Sequence, residues 1–398
     1  MQKSGRLYYV DWLRVIAFAI LIVYHCSVAF FPDMSWLIKS AQTSETLSLI
    51  MKFPRAWRLA LLFFVSGMGT WFAFRSVSGV AFLKDRFVRL LPPLLFAMCV
   101  IVVPQVWYER MQEDGYNGSL MSFWLTRYFA EGKYPAGNFT WAHMWFVAYL
   151  LVMAVVCYPI FRLLNDPKMQ RFMAWFETVA RSNAIYLMFL LPLLLNLALS
   201  PIFPRQTNTL YNDGAWFAAW ASWFGLGFLI ARHHGAILDT LIRRRWLSAA
   251  LALALTVVLY RYAWTGAPEQ RIGDFDNMTA IFKAMIFALA WTMILAAIGF
   301  AARHLDRPSR PLAWLNRKIF PLYIVHQTII VGALFHFLPL ELGVAATFGL
   351  VLLTTVAGSL AFCVLAEWLP GPFGNLVGLP GQRPKERAAA RSIAPQNP

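Results

Sequence analysis

Asp11-Trp-Leu-Arg14-Val-Ile-Ala-Phe-Ala-Ile-Leu-Ile-Val-Tyr-His25 starts with an acid and an arginine, continues through an apolar run and ends on a histidine. Arg14 and His25 are eleven positions apart, almost three helical turns. On a helix they share one face within roughly 20° and stand roughly 16 Å apart along the axis. That is more than half of a hydrocarbon core about 30 Å thick. Ionisable side chains at such depth are costly and mark a functional site by default.

The surrounding chain has the composition of a membrane protein. Its 398 residues are 59% hydrophobic, 16% aromatic and 14% charged, where a soluble domain carries about 25% charged residues. The apolar residues fall in blocks of about twenty, the length of a membrane-spanning helix. The expected fold class is all-α: a polytopic membrane protein, a bundle of about ten transmembrane helices. The spans are drawn at 9–31, 56–75, 88–108, 142–163, 183–200, 214–232, 246–264, 279–301, 319–338 and 343–368. If the N-terminus is cytoplasmic, the inner segments hold 23 Lys and Arg and the outer ones 9. That bias places both termini in the cytoplasm. Lys3 and Arg6 before the first span, and Ser27-Val28-Ala29 near its end, imitate a signal peptide. The apolar run is too long for one, so the first helix is read as retained.

Residues 1–370 are expected to form one transmembrane domain and 371–398 a flexible, basic cytoplasmic tail near anionic headgroups. The net charge of +16 sits in short segments between spans, so membrane lipids are the expected partner and nucleic acid is not. Cys26, Cys99, Cys157 and Cys363 lie inside apolar runs and form neither a disulfide framework nor a metal site. There is no phosphate-binding loop of the Walker type, which excludes ATP-driven transport by this chain alone.

Several polar residues could carry chemistry. His25 could serve as a general base, or simply bond a carbonyl within the bundle. Arg86 and Arg89, in Asp85-Arg-Phe-Val-Arg-Leu-Leu-Pro-Pro93, share a helix face. Two forked cations suit a phosphate or pyrophosphate, and a new helix starting at Pro92-Pro93 would add free N–H groups. The bias toward inner arginines explains the charge equally well. His143 and Trp145 enter the fourth span at an aromatic interface. Tyr323 and His326 share a face in mid-membrane, with Gln327 beside them, as a structural network or a substrate lining. Ser66-Gly67 reads first as a close helix contact. His233 and His234 adjoin a basic inner segment and read as solvated. The outer segment 109–141 mixes acids, amides and aromatics, which suits a sugar-like ligand or an ordinary interfacial loop.

Together these motifs resemble the acyltransferase-3 family of integral membrane O-acyltransferases. The matching features are Tyr8-Tyr-Val-Asp-Trp-Leu-Arg14 followed by ten residues and His25, Ser66-Gly67, Arg86-x-x-Arg89, His143-Met-Trp145-Phe146 and Tyr323-x-x-His326. Within the family the chain looks nearest to the glucan-biosynthesis branch, which is linked to succinylation of periplasmic glucans. The resemblance implies transfer of an acyl group, acetyl or succinyl, from cytoplasmic acyl-CoA to a hydroxyl of an extracytoplasmic glycan, at the cell inner membrane. It implies that Arg14 and His25 are essential and that Arg86 and Arg89 serve acetyl-CoA or succinyl-CoA. No tightly bound cofactor or metal is implied. His25 would deprotonate the acceptor. Tyr323, His326 or Ser66 would face the developing oxyanion, and His143, Trp145 and Ser66 would line the substrate. The chain departs from some members in showing no esterase-type domain, so the expectation is either a different acceptor or separate envelope-biosynthesis proteins as partners. The alternatives are a transporter of an anionic metabolite or lipid-linked sugar, which would show symmetric broken spans, and a scaffold, which would leave Arg14 and His25 unexplained.

Overall fold

The computed structural model describes residues 7–76, 79–265, 280–368 and 371–379. Lys3, Arg6, most of the outer segment 265–278 and the basic run 383–391 of the expected tail lie outside the described residues. In chain order the helices are α1 (Tyr8–Val28), α2 (Glu45–Ser76), α3 (Val80–Phe96), α4 (Val103–Glu113), α5 (Leu120–Phe123), α6 (Trp145–Leu164), α7 (Gln170–Arg181), α8 (Leu190–Leu199), α9 (Gly214–Arg232), α10 (His234–Leu259), α11 (Ala280–His304), α12 (Arg310–Phe337), α13 (Val344–Ala366) and α14 (Gly371–Leu376). No strand occurs among the described residues beyond an isolated bridge between Lys133 and Phe139. Among these residues nine helices are long and apolar enough to cross a membrane, or ten if one bent pair counts as a span. The chain is an all-α, polytopic membrane protein. It divides into two compact units, Met1–Arg86 with Trp145–Ala313 and Phe87–Met144 with Trp314–Pro398.

In the first unit, α2 and α9 approach as closely as backbones can. A Cβ on Gly67 would lie 1.9 Å from the Phe224 carbonyl oxygen, and one on Gly227 would lie 1.9 Å from that of Phe64. Each glycine therefore admits the backbone three residues from the other glycine, the small-residue packing that replaces the hydrophobic drive absent between helices in lipid. Phe63 stacks on Trp220 at 5.3 Å, and Phe161 on Phe228 at 3.7 Å, beside this contact. The patch expected at Ser66-Gly67 is thus a helix contact. α2 also starts eleven residues before the drawn span, at Glu45, which carries Lys52 and Arg55 into a helix and places Arg58 well inside it.

The drawn span 183–200 is not a straight helix. α7 and the stretch Asn183–Leu199 meet at 94°, and α8 alone has 10 residues, about 15 Å. Ser182 breaks the chain there: its extended backbone ends α7, and its hydroxyl accepts the Ala184 N–H at 3.1 Å. His233 and His234 also differ from expectation. His233 Nδ1 lies 3.1 Å from a Glu177 carboxylate oxygen, and the His234 ring stacks on Tyr9 at 5.8 Å. Both are half-buried rather than solvated.

In the second unit the expected helix start at Pro92-Pro93 is absent. α3 begins at Val80 and runs through both prolines, so no helix N-terminus offers N–H groups at that point. The prolines remove donors, but the remaining backbone groups can be satisfied only within the helix at membrane depth, so it persists. The break comes later, at a π-helical stretch Ala97–Ile101 before Pro104 in the first turn of α4. Its carbonyls gain side-chain donors: Tyr128 to Met98 at 2.8 Å and Thr328 to Ile101 at 2.6 Å.

Candidate functional site

α1 carries Arg14 and His25. Arg14 Nη1 lies 3.8 Å from the Asp11 carboxylate one turn earlier. Its Nη2 is 3.3 Å from where a Cβ on Gly69 would sit, so the side chain lies along α2. His25 is half-buried, and its neighbour Tyr24 is buried. The Tyr24 ring supports a guanidinium from α2, with Arg58 Cζ 3.5 Å from the ring centroid. Arg58 is only 4% exposed, and its Nε and Nη1 have no hydrogen-bond partner among the described residues. Tyr24 Oη and Arg55 Nη1 both donate to Met34 Sδ, at 3.8 and 3.6 Å.

The remaining expected residues of the first unit are engaged as follows. The Ser66 hydroxyl donates to the Leu62 carbonyl at 2.7 Å. Arg86 Nη2 donates to Asp85 at 3.1 Å, and its Cζ lies 5.4 Å from the Phe82 centroid. Trp145 packs against Tyr149 at 5.1 Å and Phe63 at 6.1 Å. Arg89, in the second unit, is exposed one turn further along α3.

The structure brings His143, Tyr323 and His326 together in the second unit. The His143 and His326 rings are 5.1 Å apart, edge to face. Their polar atoms form a directional network whose proton positions follow from what each partner can do. His143 Nε2 is 3.0 Å from the Ile324 carbonyl, which only accepts, so Nε2 carries the proton. Nδ1 then accepts from the Gln105 amide at 3.5 Å. That amide also donates to Thr328 Oγ1 at 2.7 Å, and Gln105 Oε1 accepts from Gln327 at 3.2 Å. The Tyr323 hydroxyl donates to the His143 carbonyl, and His326 Nδ1 donates to the Tyr323 carbonyl at 2.7 Å.

The segment 109–141 of this unit, expected to face outward, is cross-braced. Tyr134 donates to the buried Glu109 carboxylate at 2.7 Å, and Arg110 holds Asn138 at 2.8 Å and the Gly137 carbonyl at 2.9 Å. Burial, helped by the bond to Glu109, raises the Tyr134 phenol above its ordinary pKa. Glu109, Glu131, Tyr134 and Asn138 thus have partners within the segment. Among the described residues no three His, Cys, Asp or Glu side chains are placed to hold a metal ion.

Sequence reading missed Gln105, Thr328 and Arg58. Gln105 did carry a signal, an amide within a drawn span. Arg58, near the start of the drawn span 56–75, was counted with the ordinary interfacial charges of the outer segment before it.

A family profile described as an acyltransferase domain matches residues 7–368. Two similar relatives, both Glucans biosynthesis protein C of Escherichia coli, are 25% and 24% identical over 357 residues. Each alignment covers 83% of this chain and 84% of the relative. No solved structure matches.

Proposed function

The chain belongs to the acyltransferase family whose profile spans it, and on that premise we propose that it moves an acetyl or succinyl group from cytoplasmic acyl-CoA to a hydroxyl of an extracytoplasmic glycan. The relatives are named for glucan biosynthesis, which supports a glucan as the acceptor. The inner membrane is the place, since it alone separates a cytoplasmic CoA pool from an external glycan. The observation that carries this reading is α1, where Arg14 and a half-buried His25 share one helix face.

His25 acts as general base. An imidazole nitrogen takes the acceptor proton while the hydroxyl oxygen attacks the thioester carbonyl. The tetrahedral intermediate collapses, the C–S bond breaks and the CoA thiolate leaves with the proton that His25 held. Arg86 and Arg89 bind donor phosphates as charge-assisted partners, and Arg14 holds the donor on the inner side of His25. Other envelope-biosynthesis proteins deliver or receive the glycan.

The test uses the purified full chain in lipid nanodiscs with acetyl-CoA or succinyl-CoA and a soluble glucan. Release of CoA thiol and the mass of the glucan are measured. Failure to acylate glucan with either donor, in a folded preparation, defeats the reading. Replacing both Arg86 and Arg89 by alanine is expected to raise the donor KM about tenfold, equivalent to ~1.4 kcal/mol, with kcat nearly unchanged. Unaltered donor KM removes the arginines from the donor site.

A further inference from the structure

We propose that Arg58 is the oxyanion donor of the transfer: its guanidinium hydrogen-bonds the acyl carbonyl oxygen as that oxygen gains charge beside His25. The assignment rests on the acyl-transfer reading.

The donors expected for this task are otherwise occupied. The Ser66 hydroxyl is spent on the Leu62 carbonyl, the Tyr323 hydroxyl on the His143 carbonyl and His326 Nδ1 on the Tyr323 carbonyl. Arg58 is the opposite case. It is a buried, permanently charged group at 4% exposure, with two nitrogens lacking any acceptor among the described residues. The ring of Tyr24 is its support and the Tyr24 hydroxyl a hydrogen-bond partner, but Nε and Nη1 have no acceptor among those residues, and Arg55, on the same helix, adds a like charge rather than a counter-charge. Burying a guanidinium with no carboxylate partner among the described residues and two unsatisfied nitrogens costs stability, and a fixed cation aimed at a developing anion in a water-poor site is how an oxyanion is stabilised.

The location fits that role. Tyr24 and His25 are consecutive on α1, about 1.5 Å apart along the axis, so Arg58 stands at the level of the proposed base. With the guanidinium resting on the Tyr24 face, its buried Nε and Nη1 have no acceptor among the described residues, and the acyl carbonyl oxygen would supply the one they lack. During attack, the new C–O bond forms and the carbonyl π pair moves to oxygen, where Arg58 donates to it without giving up a proton. Collapse returns that pair to the carbonyl and expels the thiolate.

The experiment compares R58M and R58K with the wild type in nanodiscs, with acetyl-CoA and succinyl-CoA. R58M fills the space without charge. It is expected to raise the melting temperature and to lower kcat about 10²–10³-fold, with donor KM within about threefold. R58K keeps the charge but not the fork, and kcat about tenfold down at unchanged donor KM is expected. It carries the test should R58M not fold. A structural arginine gives the reverse pattern: a lower melting temperature for R58M and wild-type kcat for the folded variant, which overturns the proposal. Full kcat in R58K with an unfolded R58M overturns it too. Loss confined to succinyl-CoA means the guanidinium holds the distal carboxylate, and the oxyanion assignment falls. A wild type inactive with both donors defeats the acyl-transfer reading itself; an active wild type matched by an active R58M defeats only Arg58.

Discussion

Gln105 in the second unit and Arg58 in the first are both buried polar side chains in apolar helices, yet they are treated differently. The Gln105 amide donates to Thr328 and His143 and accepts from Gln327, so each side-chain atom has a partner. Arg58 has a ring beneath it and two nitrogens with no acceptor among the described residues. A satisfied network rigidifies its surroundings and contributes stability. An unsatisfied charge detracts from stability and is retained where something else needs it. The lesson is to look for reaction chemistry around α1 and α2, and for architecture around His143.

The largest effect that could break this contrast is H25A. Acyl transfer by that variant is expected to fall about 10³-fold at unchanged protein level, read as CoA release. Full activity would empty the first region of its base. Next comes G67A, which forces a Cβ to 1.9 Å from a backbone oxygen. A stability loss of about 3 kcal/mol is expected in denaturant titration of the reconstituted protein, and wild-type stability would deny that α2 and α9 are locked there. Q105L sharpens the other side of the contrast. It strands Gln327, Thr328 and His143, so stability should drop by about 1–3 kcal/mol, while kcat of the folded fraction stays within about threefold. A kcat loss as deep as that of H25A at full stability would invert the comparison. The smallest effect is T328V, which leaves the Ile101 carbonyl short of a donor and should cost about 1 kcal/mol by the same titration.

Much of this was legible in the sequence because lipid imposes simple rules. Apolar blocks of span length must be helices, and Arg14, His25, Tyr323 and His326 stood out because such residues are rare there. The meeting of Tyr323 with His326 followed from their spacing on α12, but the arrival of His143 beside them did not, since no local pattern reports which distant segment packs on a helix. Proline chemistry misled at Pro92-Pro93, where α3 continues, and hydropathy misled at 183–200, where Ser182 turns the chain through 94°. Arg58 escaped because it stood at the edge of the drawn span 56–75, where a charge is ordinary, whereas α2 begins at Glu45 and holds it well inside the helix.

By itself the sequence determined the class of molecule, the order of its helices and the polar residues that cannot be there for solubility. Those follow from transfer energies and from 3.6-residue periodicity, which are local properties of the chain. Only the tertiary structure decided which polar residues are satisfied. Ser66, Tyr323 and His326 all offered a donor on paper, and each found a carbonyl when folded. Hydrogen-bond satisfaction depends on partners brought from elsewhere in the chain. Arg58, counted at first among loop charges, is buried in α2 on the ring of Tyr24.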